Sequence, residues 1–287
     1  MTDRLPLAVS VAVVNYATPA SARLGLRSDP GVWPYSFWDS LDVPRHDEAS
    51  GTADALATLG WGAVALGDVS YPSRLAALKS PPPVLFYRGD VGILTLPTIG
   101  MCGSRRASEA GLRAARVCAT TAARAGLVVA SGNAAGVDTE AHLGALEGGS
   151  ATVLVLPEGA LHYRPRRADA VDDVTDRVLV VSQFPPRQPW SVGSAMTRNA
   201  VIAGIGDALV VIEAGSEGGT LNAGKQALAM GRPVIALEFD SVQTPPGNAI
   251  LHAKGAIRLR RATDLAGVLS ALRSAEAGAA QLGLALG

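Results

Sequence analysis

The sequence predicts an α/β protein: a doubly wound, mostly parallel sheet with a small helical accessory domain at its N-terminus. Three observations point there. From residue 96 onward, short apolar runs alternate with segments of helical periodicity, the pattern of βαβ units. These runs lack polar alternation, as strands covered by helices on both faces do. Glycines and small polar residues gather where the runs end, and in an open parallel sheet ligands sit outside the carboxyl ends of the strands.

Taken in order, residues 1–70 show no phosphate loop and no clear strand alternation. Pro and Gly interrupt them, and a helix-like stretch closes "FWDSLDVPRHDEASGTADALATLG". Near the start, "LPLAVSVAVV" followed by "ATPASA" resembles a signal peptide. Asp3 beside Arg4 leaves its leading segment without net positive charge, so the chain is expected to be cytoplasmic. No apolar run approaches the ~20 residues that span a bilayer, and no membrane partner is expected. "YPSRLAALKSPPPVLFYRGD" (71–90) reads as a short helix, a proline-stiffened turn and a strand.

The core then alternates. "LPTIGMCG" precedes a helix over 108–125, "GLVVASG" a helix over 138–147, and "DALVVIEAG" a helix over 220–230. "ATVLVLPEG", "RVLVVSQFPP" and "RPVIALEF" supply further strands. After these, "ATDLAGVLSALRSAEAGAAQLGLALG" reads as a helix and a tail. The expected domains are therefore residues 1–70 (accessory), 71–262 (the sheet domain) and 263–287 (C-terminal helix and tail).

Composition narrows the function. With 48% hydrophobic and 17% charged residues, the chain can build a core and is not disordered. Lysine plus arginine equals aspartate plus glutamate, 25 against 25, so any contact with nucleic acid must come from a local patch. Lys79, Lys225 and Lys254 are the only lysines, and the remaining basic residues are arginines. Cys102 and Cys118 offer neither a zinc spacing nor a disulfide framework, and no metal is expected.

Five strand ends carry "GSRRAS", "SGNAAGVD", "PEGALHY", "SQFPP" and "EAGSEGGT". Glycine lets backbone N–H groups approach an anion, and the next helix's N-terminus adds favourable partial charge. Plainer readings stand beside each. Gly103–Ser104 would be an ordinary turn with Arg105 and Arg106 solvated, Thr220 would cap the following helix, and Asp138 would cap its own helix with His142 packed nearby. Arg198 and Asn199 are expected just before a short apolar helix that leads into the strand "ALVVIEA", and would either face the same rim or hold the loop at the helix start. There is no nucleophile elbow, no Walker lysine and no G-x-G-x-x-G, so no catalytic residue is assigned.

The ordered set "YPSRLAALKSPPPVLFYRGD", "GSRRASEAG", "SGNAAGVDTEAHLGAL", "TRNAVIAGIGDALVVIEA", "GGTLNAGKQALAMGRPVIAL" and "GNAILHAKGA" resembles the DNA-processing protein A (DprA/Smf) family over about residues 70–256. The resemblance implies a Rossmann-like sheet, single-stranded DNA as partner, loading of the RecA recombinase in natural transformation, a homodimer, and no cofactor or turnover. It implies DNA contacts from Gly103, Ser104, Arg105 and Arg106, from Ser131, Gly132 and Gly136 with Asp138 nearby, from Arg198 and Asn199, and from Gly218, Gly219 and Thr220. The chain departs from the family at Asn133, where leucine is usual, and at Gln183, where glutamate is usual. Two other readings use the same sheet: a nucleotide or nucleotide-signal binding protein, and a nucleotide phosphoribohydrolase. The latter needs acids after a Gly-Gly-x-Gly-Thr turn, where this chain has Leu221, Asn222 and Ala223.

Overall fold

A computed structural model of the chain describes residues 6–165, 176–239, 244–272 and 274. Four helices come first: α1 (Leu7–Tyr16), α2 (Pro19–Ser28), α3 (Trp33–Asp39) and α4 (Val43–Thr58). The run that resembled a signal peptide is α1, with Val9, Val11, Ala12 and Val13 buried. Its apolar residues surround the helix, as befits one enclosed in a core.

Strands β1 (Trp61–Ala65) and β2 (Val84–Arg88) flank the short α5 (Ser73–Ala76). Then follow β3 (Thr98–Cys102), α6 (Glu109–Arg124), β4 (Val128–Gly132), α7 (Val137–Glu147), β5 (Thr152–Val155) and β6 (Val178–Ser182). After them come α8 (Val192–Ile205), β7 (Leu209–Val211), α9 (Gly219–Ala229), β8 (Val234–Leu237), α10 (Pro246–Ala253) and β9 (Ile257–Leu259). Residues 265–272 are helical; residues 273 and 275–287 of the expected tail lie outside the described residues.

The described strands form one sheet in the order β1-β2-β6-β5-β4-β3-β7-β8-β9. From β6 through β9 every pairing is parallel, while β2 runs antiparallel to β6 and β1 to β2. The mostly parallel, doubly wound fold is thus as the sequence predicts. Strand β1, "WGAVA", is an element the periodicity does not reveal, and the boundary expected at residue 70 falls between it and its partner β2.

Apolar strands are covered on both faces. One core joins the N-terminal helices with α8, α9 and α10 residues such as Val201, Leu221 and Leu251. The other joins α6, α7 and 265–272 through Ala119, Ala141 and Leu265. Gly100 in β3 lets α8 lie directly on the sheet: a Cβ there would sit 2.8 Å from Ile202 O. Strand order reverses at β3, with β4 on one side and β7 on the other. A crevice opens at such a point beyond the carboxyl ends. Among the described residues no helix is long and apolar enough to cross a membrane, and no cluster of His, Cys, Asp and Glu has the makings of a metal site.

Candidate nucleic-acid interface

The crevice is an open cavity of about 580 Å3 at the ends of β3 and β7. Gly103, Ser104, Arg105 and Arg106 line it from β3, and Gly218, Gly219 and Thr220 line it from the loop after β7. Arg198 and Asn199, from α8, complete the wall. Nine of the twelve residues expected at the site therefore meet in one cavity. The other three, Ser131, Gly132 and Gly136, lie behind its wall and shape it.

The loop after β3 is fixed by its neighbours. Ser104 Oγ accepts from Arg106 N at 3.1 Å, which leaves its own proton for a ligand. Thr220 Oγ1 donates to Gly103 O at 3.0 Å, and Val137 N donates to Ser104 O at 3.3 Å. Thr220 thus braces the first loop instead of capping α9. Gly136 sits at φ +81°, and a Cβ there would lie 2.6 Å from Ser104 O. Only glycine accepts both that backbone and that approach. Arg105 and Arg106 are exposed and make no ion pair or hydrogen bond through their side chains with a described residue.

Beneath them lies a buried charge system. Arg198 Nη1 is 3.8 Å from Asp138 Oδ2, and both side chains are more than nine-tenths buried. Burial pulls the Arg198 guanidinium below its usual range, and Asp138 opposes that pull. Arg198 Nε, also buried, has no partner among the described residues. Asp138 does not cap α7, whose N-cap is Gly136 without a side-chain bond; it faces Arg198. Ser131 Oγ lies 2.7 Å from Met101 O and 3.1 Å from Asp138 Oδ1, fully buried. It positions the carboxylate and cannot reach a ligand. His142 Nε2 lies 2.7 Å from Gly132 O, so the neutral ring carries its proton there. Burial holds its pKa below the usual imidazole range. Burial first, then Asp138, pushes the Cys102 thiol up to about 12, so it stays protonated.

Two helix N-termini at the rim, those of α7 and α9, have no side-chain cap. That of α6 is closed. Ser108 caps it through Gly111 N at 3.0 Å, and Glu213 accepts from Ser108 N at 3.1 Å and from Ser108 Oγ at 2.9 Å. The anion-binding capacity at the rim therefore comes from the arginines and from α9, whose N-cap Gly218 (φ +103°) stands in open space. Three arginines and two carboxylates, Asp138 and Glu217, line the cavity. Sequence reasoning missed the Glu213 brace and also Trp190, an exposed ring at the cavity mouth.

Comparison with known proteins bears on this geometry. The family model described as DNA recombination-mediator protein A matches residues 62–270. The chain belongs to that family. Among relatives of the recombination-mediator family, it is 32% identical to the protein Smf of Synechocystis over 175 residues, 59% of this chain and 44% of that one. It is 31% identical to the DNA processing protein DprA of Streptococcus pneumoniae over 171 residues, 59% of this chain and 60% of that one. The chain thus spans about half the length of these curated relatives. In fold it is similar to the crystal structure of DprA from Streptococcus pneumoniae, with TM-score 0.71 and 23% identity over 90% of this chain and 94% of that one. It is also similar to DNA processing protein A of Helicobacter pylori, a protein whose single-stranded DNA binding mode has been described structurally. There the TM-score is 0.63, with 21% identity over 73% of this chain and 95% of that one. These recombination-mediator structures share the Rossmann-like sheet.

Proposed function

We propose that the chain binds single-stranded DNA along the carboxyl rim of its sheet, tracking phosphates without reading bases. In this reading it protects processed or incoming strands and passes them to the RecA recombinase in recombination or transformation, as a homodimer in the cytoplasm. The observation that carries the reading is the rim itself. Arg105 and Arg106 lack an acidic partner among the described residues, and they stand with buried Arg198 and the uncapped N-terminus of α9 around one cavity. Guanidinium forks and backbone N–H groups bind phosphate without sequence information. Membership of the recombination-mediator family and the likeness to the Helicobacter pylori protein support the same ligand class. A non-catalytic role is supported by the carboxylates. Glu213, an acid that precedes the late glycine turn, is taken up by Ser108.

Fluorescence anisotropy with oligothymidine tests this. Affinity falls steeply with salt, and Arg105→Ala lowers it about tenfold, with a log–log salt slope shallower by about 0.7. Unchanged affinity in both Arg105→Ala and Arg198→Ala would sink the assignment of this rim. A second reading, a sensor of one small phosphorylated ligand, is favoured by the cavity's volume of about 580 Å3, within the range of single-ligand sites. A thermal-shift panel of nucleotides against oligonucleotides separates the two, because the true ligand stabilises the fold by mass action.

A further inference from the structure

Among the four tryptophans, three have ring partners: Trp33 stacks on Phe37, Trp38 tilts over His46, and Trp61 meets Tyr163 edge-on. Trp190 has none among the described residues and is 48% exposed. Its backbone is nonetheless pinned on both sides. Gly159 N donates to Gln188 O at 2.8 Å, and Gln188 Nε2 donates to Ser194 Oγ at 2.8 Å. On the other side, Ser191 Oγ accepts from Ser194 N at 3.0 Å and so caps α8. Trp190 is thus a half-exposed aromatic ring on an ordered backbone, in a chain with only 5% aromatic residues.

Trp190 lines the main cavity and also a second hollow of about 370 Å3. Arg105, Ala134 and Arg198 are likewise shared by the two. The ring and the two guanidinium groups therefore stand at the boundary between compartments. The second hollow is polar: Asn133 makes no side-chain hydrogen bond with a described residue, and Arg164 gives Nη1 to Leu161 O and Tyr163 O while its other nitrogens stay available. A hollow with free donors, an aromatic plane and a cationic boundary matches the repeating unit of a single strand, which is base, sugar and phosphate.

We propose that Trp190 is a base-stacking platform and that the two hollows take successive nucleotides of one strand, with the intervening phosphate at Arg105 and Arg198. The proposal rests on the nucleic-acid reading above and adds a base contact to a site otherwise made for phosphates. It gives affinity without sequence preference, since every base has a stacking face.

The test uses the full chain, oligothymidine, and an abasic oligomer of equal length. Trp190→Ala is expected to weaken oligothymidine binding roughly 5- to 150-fold while leaving the salt slope unchanged. It leaves the abasic oligomer's affinity as in the wild type. Trp190→Phe restores most of the lost affinity, and the tryptophan fluorescence quenched by oligothymidine in the wild type is unquenched in that variant. Equal loss for both oligomers, or no loss for either, overturns the stacking role while leaving strand binding intact. Thymidine monophosphate binding as tightly as the oligomer overturns the two-nucleotide path. Failure of the wild type to bind either oligomer overturns the nucleic-acid reading itself, and this inference with it.

Discussion

Replacing Gly132 by alanine adds one methyl group where the fold has no room for it. The new Cβ would lie 1.6 Å from Arg198 Nη1 and 2.3 Å from Asp138 Oδ2. Gly132 does not need an unusual backbone; it needs the absence of a side chain. At an unstrained position with open space, the same substitution stabilises a protein by about 0.4–1 kcal/mol through the unfolded chain. Here the methyl group must displace a guanidinium and a carboxylate that are 5% and 6% exposed. Breaking a buried pair by removing one partner costs about 3–5 kcal/mol. Displacement keeps both charges and lets water reach them, so the lower end applies, about 3 kcal/mol. For a chain of this size that lowers the melting temperature by roughly 6–12 °C.

Urea unfolding followed by circular dichroism measures the change as a shift in midpoint with the slope preserved. The decisive comparison is a cycle with Arg198→Ala. Removing Arg198 takes away the nearest clash, so alanine at 132 should then cost little, and the cycle should show a coupling of about 2 kcal/mol. A Gly132→Ala protein within about 0.5 kcal/mol of wild type, or strict additivity with Arg198→Ala, would refute the account of a charge pair packed against bare backbone.

Other perturbations report on the surrounding shell. Asn248 is fully buried and bonds Ala214 N at 2.9 Å, Ile212 O at 2.9 Å and Leu237 O at 2.8 Å; Asn248→Ala strands three backbone groups and should destabilise by about 3 kcal/mol in urea titration. His142 is buried with a lowered pKa, so below about pH 6.5 the unfolded chain binds the proton first. Stability should then drop by up to about 1.4 kcal/mol per pH unit, and His142→Gln should flatten that part of the profile. Glu213→Gln should weaken the cap on α6, costing about 1 kcal/mol of stability, yet tighten oligothymidine binding at low salt by removing a negative charge beside the rim. A fall in both stability and affinity would place Glu213 among the ligand contacts instead.

The sheet is legible in the sequence wherever burial on both faces forces an unbroken apolar run, as in "LVVASG" and "ALVVIEA". Strand β1 escapes because Gly62 and two alanines carry little strand preference. Its pairing with β2, Trp61 opposite Arg88 through Ala65 opposite Val84, is set by tertiary contact. Strand β9 escapes for another reason: "IRL" is short, lies at the sheet edge and is only partly buried. At the site, the glycine-bearing strand ends predict which loops converge. They do not predict what each side chain does on arrival. Ser131 is spent on Met101 O and Asp138, and Glu213 reaches a serine 105 residues away to close a helix end that looked open. Such contacts depend on how β3, β4 and β7 sit side by side, which no local pattern records.

The balance of charges looks at first like an argument against a nucleic-acid partner, yet the proposed reading is compatible with it. Several acids elsewhere are matched to arginines at close range: Glu140 and Glu147 with Arg116, Glu238 with Arg258 and Arg260, and Asp264 with Arg261. These pairs neutralise each other where they stand. Screening over about 8 Å at physiological salt then keeps them from cancelling the field at the rim. In the proposed reading Arg105 and Arg106 act on a phosphate as local charges, with Arg198 lining the same cavity. A neutral protein with a charged crevice gains little from long-range steering. In the proposed reading its affinity comes instead from short contacts made after arrival, through fork geometry, free helix N–H groups and the exposed ring. Dissociation, more than association, should therefore respond when those contacts are removed.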